Sequence, residues 1–384
     1  MKFFCIRKTI LASFCLFLFA CTDESSIVYS SFEEWLSSNS GKSETVCNPK
    51  EKSVIFTSDQ LKIEGLAKSM TGDLDEQNGS VDWSTSELIW LTGASVSVDS
   101  DDESLKETSD KHLCHSLVNY QNPKKLPWKI KTQGTDKRIF TFSQGVTKVQ
   151  FPQDYGIPII SNSKLSIGNQ VLNLEEPNLK GKVKFEVELN YINQQENCKP
   201  LKALYQQPVF VTKRTGGPIG AYNEKDTGKT ESMDSSSTIF CDTGFAQCAI
   251  SYEEGFNPYR DNFGRVFTGH WTISTDSLEV LATNITPMLD LQENTAIHAI
   301  SLHVHPYAHS LELIDKTVGI SLFKGTVDYQ NGNLLRISNM DIYSSEEGIP
   351  VYKDHEYQLI SIYQNPNGEE GITAMATMFL YLAE

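Results

Sequence analysis

The chain has 384 residues, 39% hydrophobic and 10% aromatic, a composition that excludes a wholly disordered polymer and gives room for two ordinary domains. Its formal net charge of −16 argues against nucleic acid and against electrostatic attachment to anionic lipid as partners. No GxSxG, Walker loop, HExxH or paired CxxC is present, which removes the commonest hydrolase, nucleotide and structural-zinc readings.

Residues 1–20 carry Lys2, Arg7 and Lys8 ahead of the apolar run Ile10 to Ala20, too short to span a bilayer, so they read as an export signal. Leu18-Phe19-Ala20-Cys21 looks like a bacterial lipobox, with Cys21 the lipidation site and Thr22 after it leaning toward the outer membrane of a Gram-negative bacterium. Cleavage elsewhere, by an ordinary secretory route, is the plainer alternative. Residues 21–50, rich in Ser, Glu and Asn, read as a tether with one helical turn at FEEWL.

From 51 to 214 short alternating runs are broken by Gly, Asn, Asp and Pro. Val183, Phe185, Val187 and Leu189 fall on one face of a strand, with only charges on the other. Arg138 to Phe142 and Pro208 to Val211 are further strands at sandwich-like spacing. Asp99, Asp101 and Glu103 alternate like calcium ligands, but Ser104 and Asp110 break that pattern, and a solvated acidic turn is the better reading. Residues 215–263 are polar and aperiodic, a crossover pinned by a Cys241–Cys248 disulfide, the likeliest pair in an exported chain. A second strand-rich block fills 264–384. The expected fold is all-β, two tandem antiparallel β-sandwich domains of jelly-roll type.

The last block holds the most informative motif. Between Ile297 and Tyr307, Ala299, Ser301, His303 and His305 share one strand face, and Ile300, Leu302 and Val304 share the other. The apolar set belongs to a core, so the two imidazoles project away from it. In the last strand Met378 has the core phase, while Met375 sits on the more polar face and is available to join His303 and His305. A His₂Met set would suit copper, because a thioether disfavours hard cations. Two surface histidines with Met375 packed nearby is the bland alternative. His298 has the core phase and reads as a satisfied buried histidine, and His309 as a packing or capping residue. His270 and His355 reach the pair only if the fold bends favourably.

The runs SLHVHPYAHSLEL and AMATMFLYL, with SSEEGIPVYKDHEYQLISIYQNPNGEEGITAMATMFLYL and RIFTFSQGVTKVQFPQDYGIPIISNSKLSIGNQVLNL, resemble the copper type II, ascorbate-dependent monooxygenases over roughly 110–215 and 265–384. The resemblance implies an O₂-activating copper at His303, His305 and Met375, and ascorbate or another external reductant. It also implies a second copper in the first domain, where the matching stretch offers His112, Cys114 and His115. The family's adjacent His-His is Cys114-His115 here, with no histidine from 116 to 269, so this site is reshaped, absent, or completed by a partner. Ser301, Thr377 and Phe379 replace the family's peptide-binding residues, which points to an uncharged organic substrate. A copper-dependent monooxygenase is therefore the expectation, and a non-catalytic copper-binding or storage lipoprotein the alternative.

Overall fold

The computed structural model describes residues 29–39, 50–69, 71–80, 88–103, 105–121, 126, 138–160, 163–197, 199–216, 257–261, 263–275 and 278–384. One long sheet runs through both halves of the chain. Its main path is Lys52–Thr57, Lys180–Asn193, Leu88–Asp99, Tyr155–Ile160, Lys202–Phe210, Ala376–Ala383, Thr295–Val304 and Tyr343–Val351. The halves join where Lys202–Phe210 pairs antiparallel with Ala376–Ala383. A four-stranded sheet, Leu74–Ser80, Lys164–Val171, Leu113–Tyr120 and Arg138–Ser143, belongs to the first half. A five-stranded sheet, Leu278–Asn284, Tyr357–Gln364, Ala308–Asp315, Ile320–Tyr329 and Ile337–Met340, belongs to the second. The chain is all-β, and its two antiparallel sandwiches share one central sheet.

Local pattern explains the strands. Val183, Phe185, Val187 and Leu189 are buried to 1% exposure or less. Their outward neighbours Glu186 and Glu188 sit opposite Ser97 and Ser95, and Lys184 opposite Asp99. Lys184 also pairs with Asp101 at 3.1 Å, which makes the acidic turn a solvated ion-paired one. The FEEWL segment forms the helix Phe32–Asn39. It docks instead of dangling: Phe32 is 1% exposed, its ring meets Trp90 edge-on at 5.2 Å, and its N–H donates to the Glu384 side chain. The apolar Phe32 and Trp35 supply a reason to bind the body that a tether of Ser and Glu lacks.

Both faces of the Thr295–Val304 strand are buried, each by a different sheet. Leu302 lies against Gly325 of the five-stranded sheet, so close that a Cβ on the glycine would stand 2.3 Å from the Leu302 side chain. On the opposite phase Ser301 pairs with Phe379 and Ala299 with Tyr381. The Tyr381 ring meets Phe140 of the four-stranded sheet at 6.3 Å. Cross-strand partners share a face. The face that carries His303 therefore looks toward the first half of the chain. The histidines point away from their own core, as expected, and the bland alternative of two surface histidines fails because the first half covers them.

The seam between the halves is stitched by backbone contacts. Gly145 accepts a hydrogen bond from Met340 N–H, and Ser344 donates to Gln150 C=O. Gly145 has φ +79°, and a Cβ there would stand 2.6 Å from Ile337. Only glycine serves this turn without strain.

Candidate functional site: a buried imidazole cluster at the seam

A cavity of about 150 Å³ opens at the seam. The first half contributes Leu66, Leu113, Cys114, Gln144 and Leu172; the second contributes His303, His305, Leu335, Ile337 and Ile372. The wall is mainly aliphatic. Its polar groups include the exposed Lys68 and Glu369 and the buried Ser143, Asn173, His303 and His305, the last two at 8% and 5% exposure.

Four histidines gather from distant parts of the chain. His303 and His305 meet edge to face at 5.6 Å because alternate residues of one strand share a face. His115 comes from the Leu113–Tyr120 strand and lies perpendicular to His303 at 6.3 Å. His270 lies 5.7 Å from His305. It is delivered by a tight turn in which Thr268 Oγ1 accepts its N–H and donates to its C=O. The next two residues, Trp271–Thr272, then pair with Thr373–Ala374.

These rings are neutral. Burial, followed by the neighbouring histidines and the Arg138 guanidinium, pushes His303 down to about 3. His115 is pushed to about 3 by burial, then by Arg138. His305 falls well below the ordinary imidazole value through burial and then the His303 and His270 charges; His270 falls through burial. The tautomer of His305 follows from its partner: Nδ1 lies 3.3 Å from Thr373 C=O, and a carbonyl only accepts, so Nδ1 carries the hydrogen. Nε2 is then a bare lone pair, and it is buried with no protein partner, as are His303 Nδ1 and His270 Nε2. An orphaned buried polar atom costs about 1–3 kcal/mol. Three in one cluster mark a site shaped for something other than stability.

Groups whose protons leave at about 3 are poor bases near neutral pH, where an efficient general base titrates close to the working pH. The cluster suits acceptance of a hydrogen bond better than proton abstraction.

The other sequence candidates fall elsewhere. His305 N–H donates to Met375 C=O, which places Met375 across from His305, with its side chain half-buried. Met378 is fully buried. His112 does not join His115: its Nδ1 donates to Leu172 C=O and it lines a separate small chamber. Cys114 lines the large cavity and donates to Ser69 Oγ. His298 is buried, bonded to Ser345 C=O and stacked on Tyr155 at 4.0 Å. His355 pairs with Asp315 at 2.6 Å. Cys21, Cys241 and Cys248 lie outside the described residues, and among those described no helix is long and apolar enough to cross a membrane.

An all-β protein of two fused sandwiches, with a neutral imidazole cavity at the seam, is the class that fold and site define. No family model and no curated protein matches the chain. Among solved structures it is similar to PNGase F, a glycosylasparaginase from Flavobacterium meningosepticum, at 10% identity and TM-score 0.33, covering 87% of this chain and 96% of that one. It is also similar to PNGF-II, at 8% identity and TM-score 0.31 over 85% of this chain and 64% of that one. The STIV MCP follows at 8% identity and TM-score 0.29, over 86% and 97%. Likeness this faint carries no activity to the present chain.

These findings overturn the copper reading. No family model supports the resemblance. Among the described residues no group of three or more His, Cys, Asp or Glu is arranged to hold a metal ion. The four imidazoles touch in succession, 5.6 to 6.3 Å between ring centres, and are not among any group so arranged. The monooxygenase, the copper-storage alternative and the oxidoreductase class are all withdrawn. HxH with a later methionine is short enough to arise from strand alternation alone.

Proposed function

We propose that this protein binds a small, uncharged, largely apolar organic molecule at the seam, with the neutral imidazoles accepting its hydrogen-bond donor. The observation that carries the reading is His305, which lines the cavity and whose Nε2 is buried without a protein partner. Size narrows the class: a cavity of about 150 Å³ is one that, lined by aliphatic and aromatic side chains in an engineered protein, takes up benzene. The ligand is of about one ring, with a hydroxyl or N–H on its rim. Charge is disfavoured against the aliphatic part of the wall, where moving an ion costs several kcal/mol unless it is paired; the exposed Lys68 and Glu369 also lie on the lining.

Calorimetric titration with phenol and with benzene tests this. Phenol should bind the whole protein about tenfold more tightly, the equivalent of one hydrogen bond of roughly 1.4 kcal/mol. His305→Leu should remove that preference and leave benzene binding in place. Equal affinity for the two in the unaltered protein would sink the proposal. Titration with Cu⁺ or Zn²⁺ is the counter-experiment: one tightly held ion, lost on Met375→Leu as well as on His303→Ala, would replace an organic ligand by a metal.

For location we infer export and attachment through Cys21, supported by the lipobox-like Leu18-Phe19-Ala20-Cys21. Cys21→Ser should release the protein from the membrane fraction; a wild-type protein already soluble would contradict the anchor.

A further inference from the structure

Tyr307 follows His305 by two residues and holds its backbone at φ +72°. Asp154, Asp290 and Asn331 also have positive φ, but their short polar side chains tolerate that region. A tyrosine does not. A bulky residue stays there only where its surroundings over-determine it, and such strain gathers at functional sites.

The bonds of Tyr307 show what the strain secures. The second half lines the cavity from three short stretches, around residues 303–306, 335–337 and 369–373. Tyr307 reaches each of them. It continues the first through Pro306. Its N–H donates to Leu334 C=O at 3.3 Å, one residue before the second. Its phenol O–H donates to the Glu369 side chain, at the start of the third. Burial, and then that bond, raise the hydroxyl above the ordinary phenol value, so it keeps the hydrogen it donates. The Tyr307 C=O accepts the Gln364 N–H at 3.0 Å, and the residue is 2% exposed.

The Glu369 end is fixed in turn. Asn365, 2% exposed, donates from Nδ2 to Glu369 C=O at 2.8 Å and accepts the Glu369 N–H at 3.1 Å. Gly368 and Gly371, with φ +64° and +72°, turn the chain on either side of Glu369. Further along the same stretch, Thr373 C=O meets Nδ1 of His305. A continuous path of bonds and backbone thus runs from the Tyr307 hydroxyl to the His305 ring.

We propose that Tyr307 is a positioning residue for His305. Its left-handed backbone and its bond to Glu369 hold the three stretches together and keep the Thr373 carbonyl on Nδ1, which decides the nitrogen left to accept. That a ligand uses this acceptor rests on the function proposed above; the positioning does not.

The test reads the His305 ring nitrogens of the full, ligand-free protein by nitrogen-15 NMR, with urea midpoints as the measure of stability. Tyr307→Phe keeps the ring and loses the O–H; Glu369→Ala, at an exposed position, loses the acceptor. Each should redistribute the His305 hydrogen between Nδ1 and Nε2. The two together should do no more than either alone, because both delete one bond. Glu369→Gln keeps a carbonyl acceptor and should restore the unaltered pattern. In the first two variants the preference for phenol over benzene should fall from about tenfold to about threefold or less, because a hydrogen bond weakens steeply with misalignment. A merely structural tyrosine would lower the urea midpoint and leave the His305 nitrogens as they were; that result in both variants would overturn the proposal. No preference for phenol in the unaltered protein would remove the function above and leave the nitrogen readout to decide this inference. Glu369→Ala deletes no buried side chain, so a folding failure in Tyr307→Phe does not remove the test.

Discussion

Two groups of histidines in the second half of the chain make an instructive contrast. His298 and His355 each have a bonding partner: Ser345 C=O for one, the Asp315 carboxylate for the other. His303 and His305 are also buried, yet each leaves a nitrogen without a protein partner where the two halves meet. Burial alone therefore does not separate a structural histidine from a functional one. Satisfaction does. A satisfied ring stabilises the fold, whereas an orphaned ring costs stability and persists only for what it can bind.

Substitution should sharpen that difference by its sign. His355→Phe leaves the Asp315 carboxylate, 3% exposed, without its imidazole, and should cost about 3 kcal/mol in denaturant unfolding. Asp315 keeps the N–H groups of Thr317 and Val318, which holds the loss to the lower part of the range for a broken buried pair. His303→Leu should cost nothing, or add up to about 1 kcal/mol, by exchanging an orphaned polar ring for an apolar one. A large loss from His303→Leu would break the contrast.

Acid should distinguish the two groups next. His115 and His303 stay neutral in the folded protein down to about 3, while unfolded histidine takes up a proton near 6.5. Below 6.5 the unfolded state binds more protons, so stability present at neutral pH is lost as the pH falls from 6.5 toward 3. The slope is about 1.4 kcal/mol per pH unit for each such ring. Urea midpoints between pH 7 and 5 should show this loss, and His303→Leu should make it shallower. An unchanged slope would mean that His303 titrates normally.

The contacts that build the seam come next in size. Gly145→Ala puts a methyl against Ile337 at a positive φ and should cost roughly 1–3 kcal/mol, with weaker phenol binding because Ile337 lines the cavity. Asp101→Asn, at an exposed pair with Lys184, should change stability by less than about 0.5 kcal/mol.

Much of the architecture is legible in the sequence, because strand phase is a local property. Alternation at Val183, Phe185, Val187 and Leu189, and the separation of His303 and His305 from Leu302 and Val304, follow from side chains two residues apart. What covers the histidine face is not local. It is supplied by a sheet about 160 residues earlier in the chain, through Phe140 against Tyr381. His270 was within reach of the motif, and the Thr268-Gly269-His270 turn that aims it is a faint signal in the residues. His115 was set beside His112, its neighbour in sequence, whereas His112 ends the helical turn before the strand and His115 lies within the strand, against His303. The copper reading failed for the same reason: HxH fixes two imidazoles on one face and says nothing of whether a third group converges on them.

The central claim is that His305 Nε2 is a buried, unprotonated acceptor waiting for a donor. Nitrogen-15 NMR of the imidazole rings at neutral pH, with and without phenol, reads it directly. The account predicts a His305 ring with hydrogen on Nδ1 only, whose Nε2 resonance moves toward the hydrogen-bonded position on adding phenol and stays still with benzene. A hydrogen on Nε2, or a resonance indifferent to phenol, would contradict it.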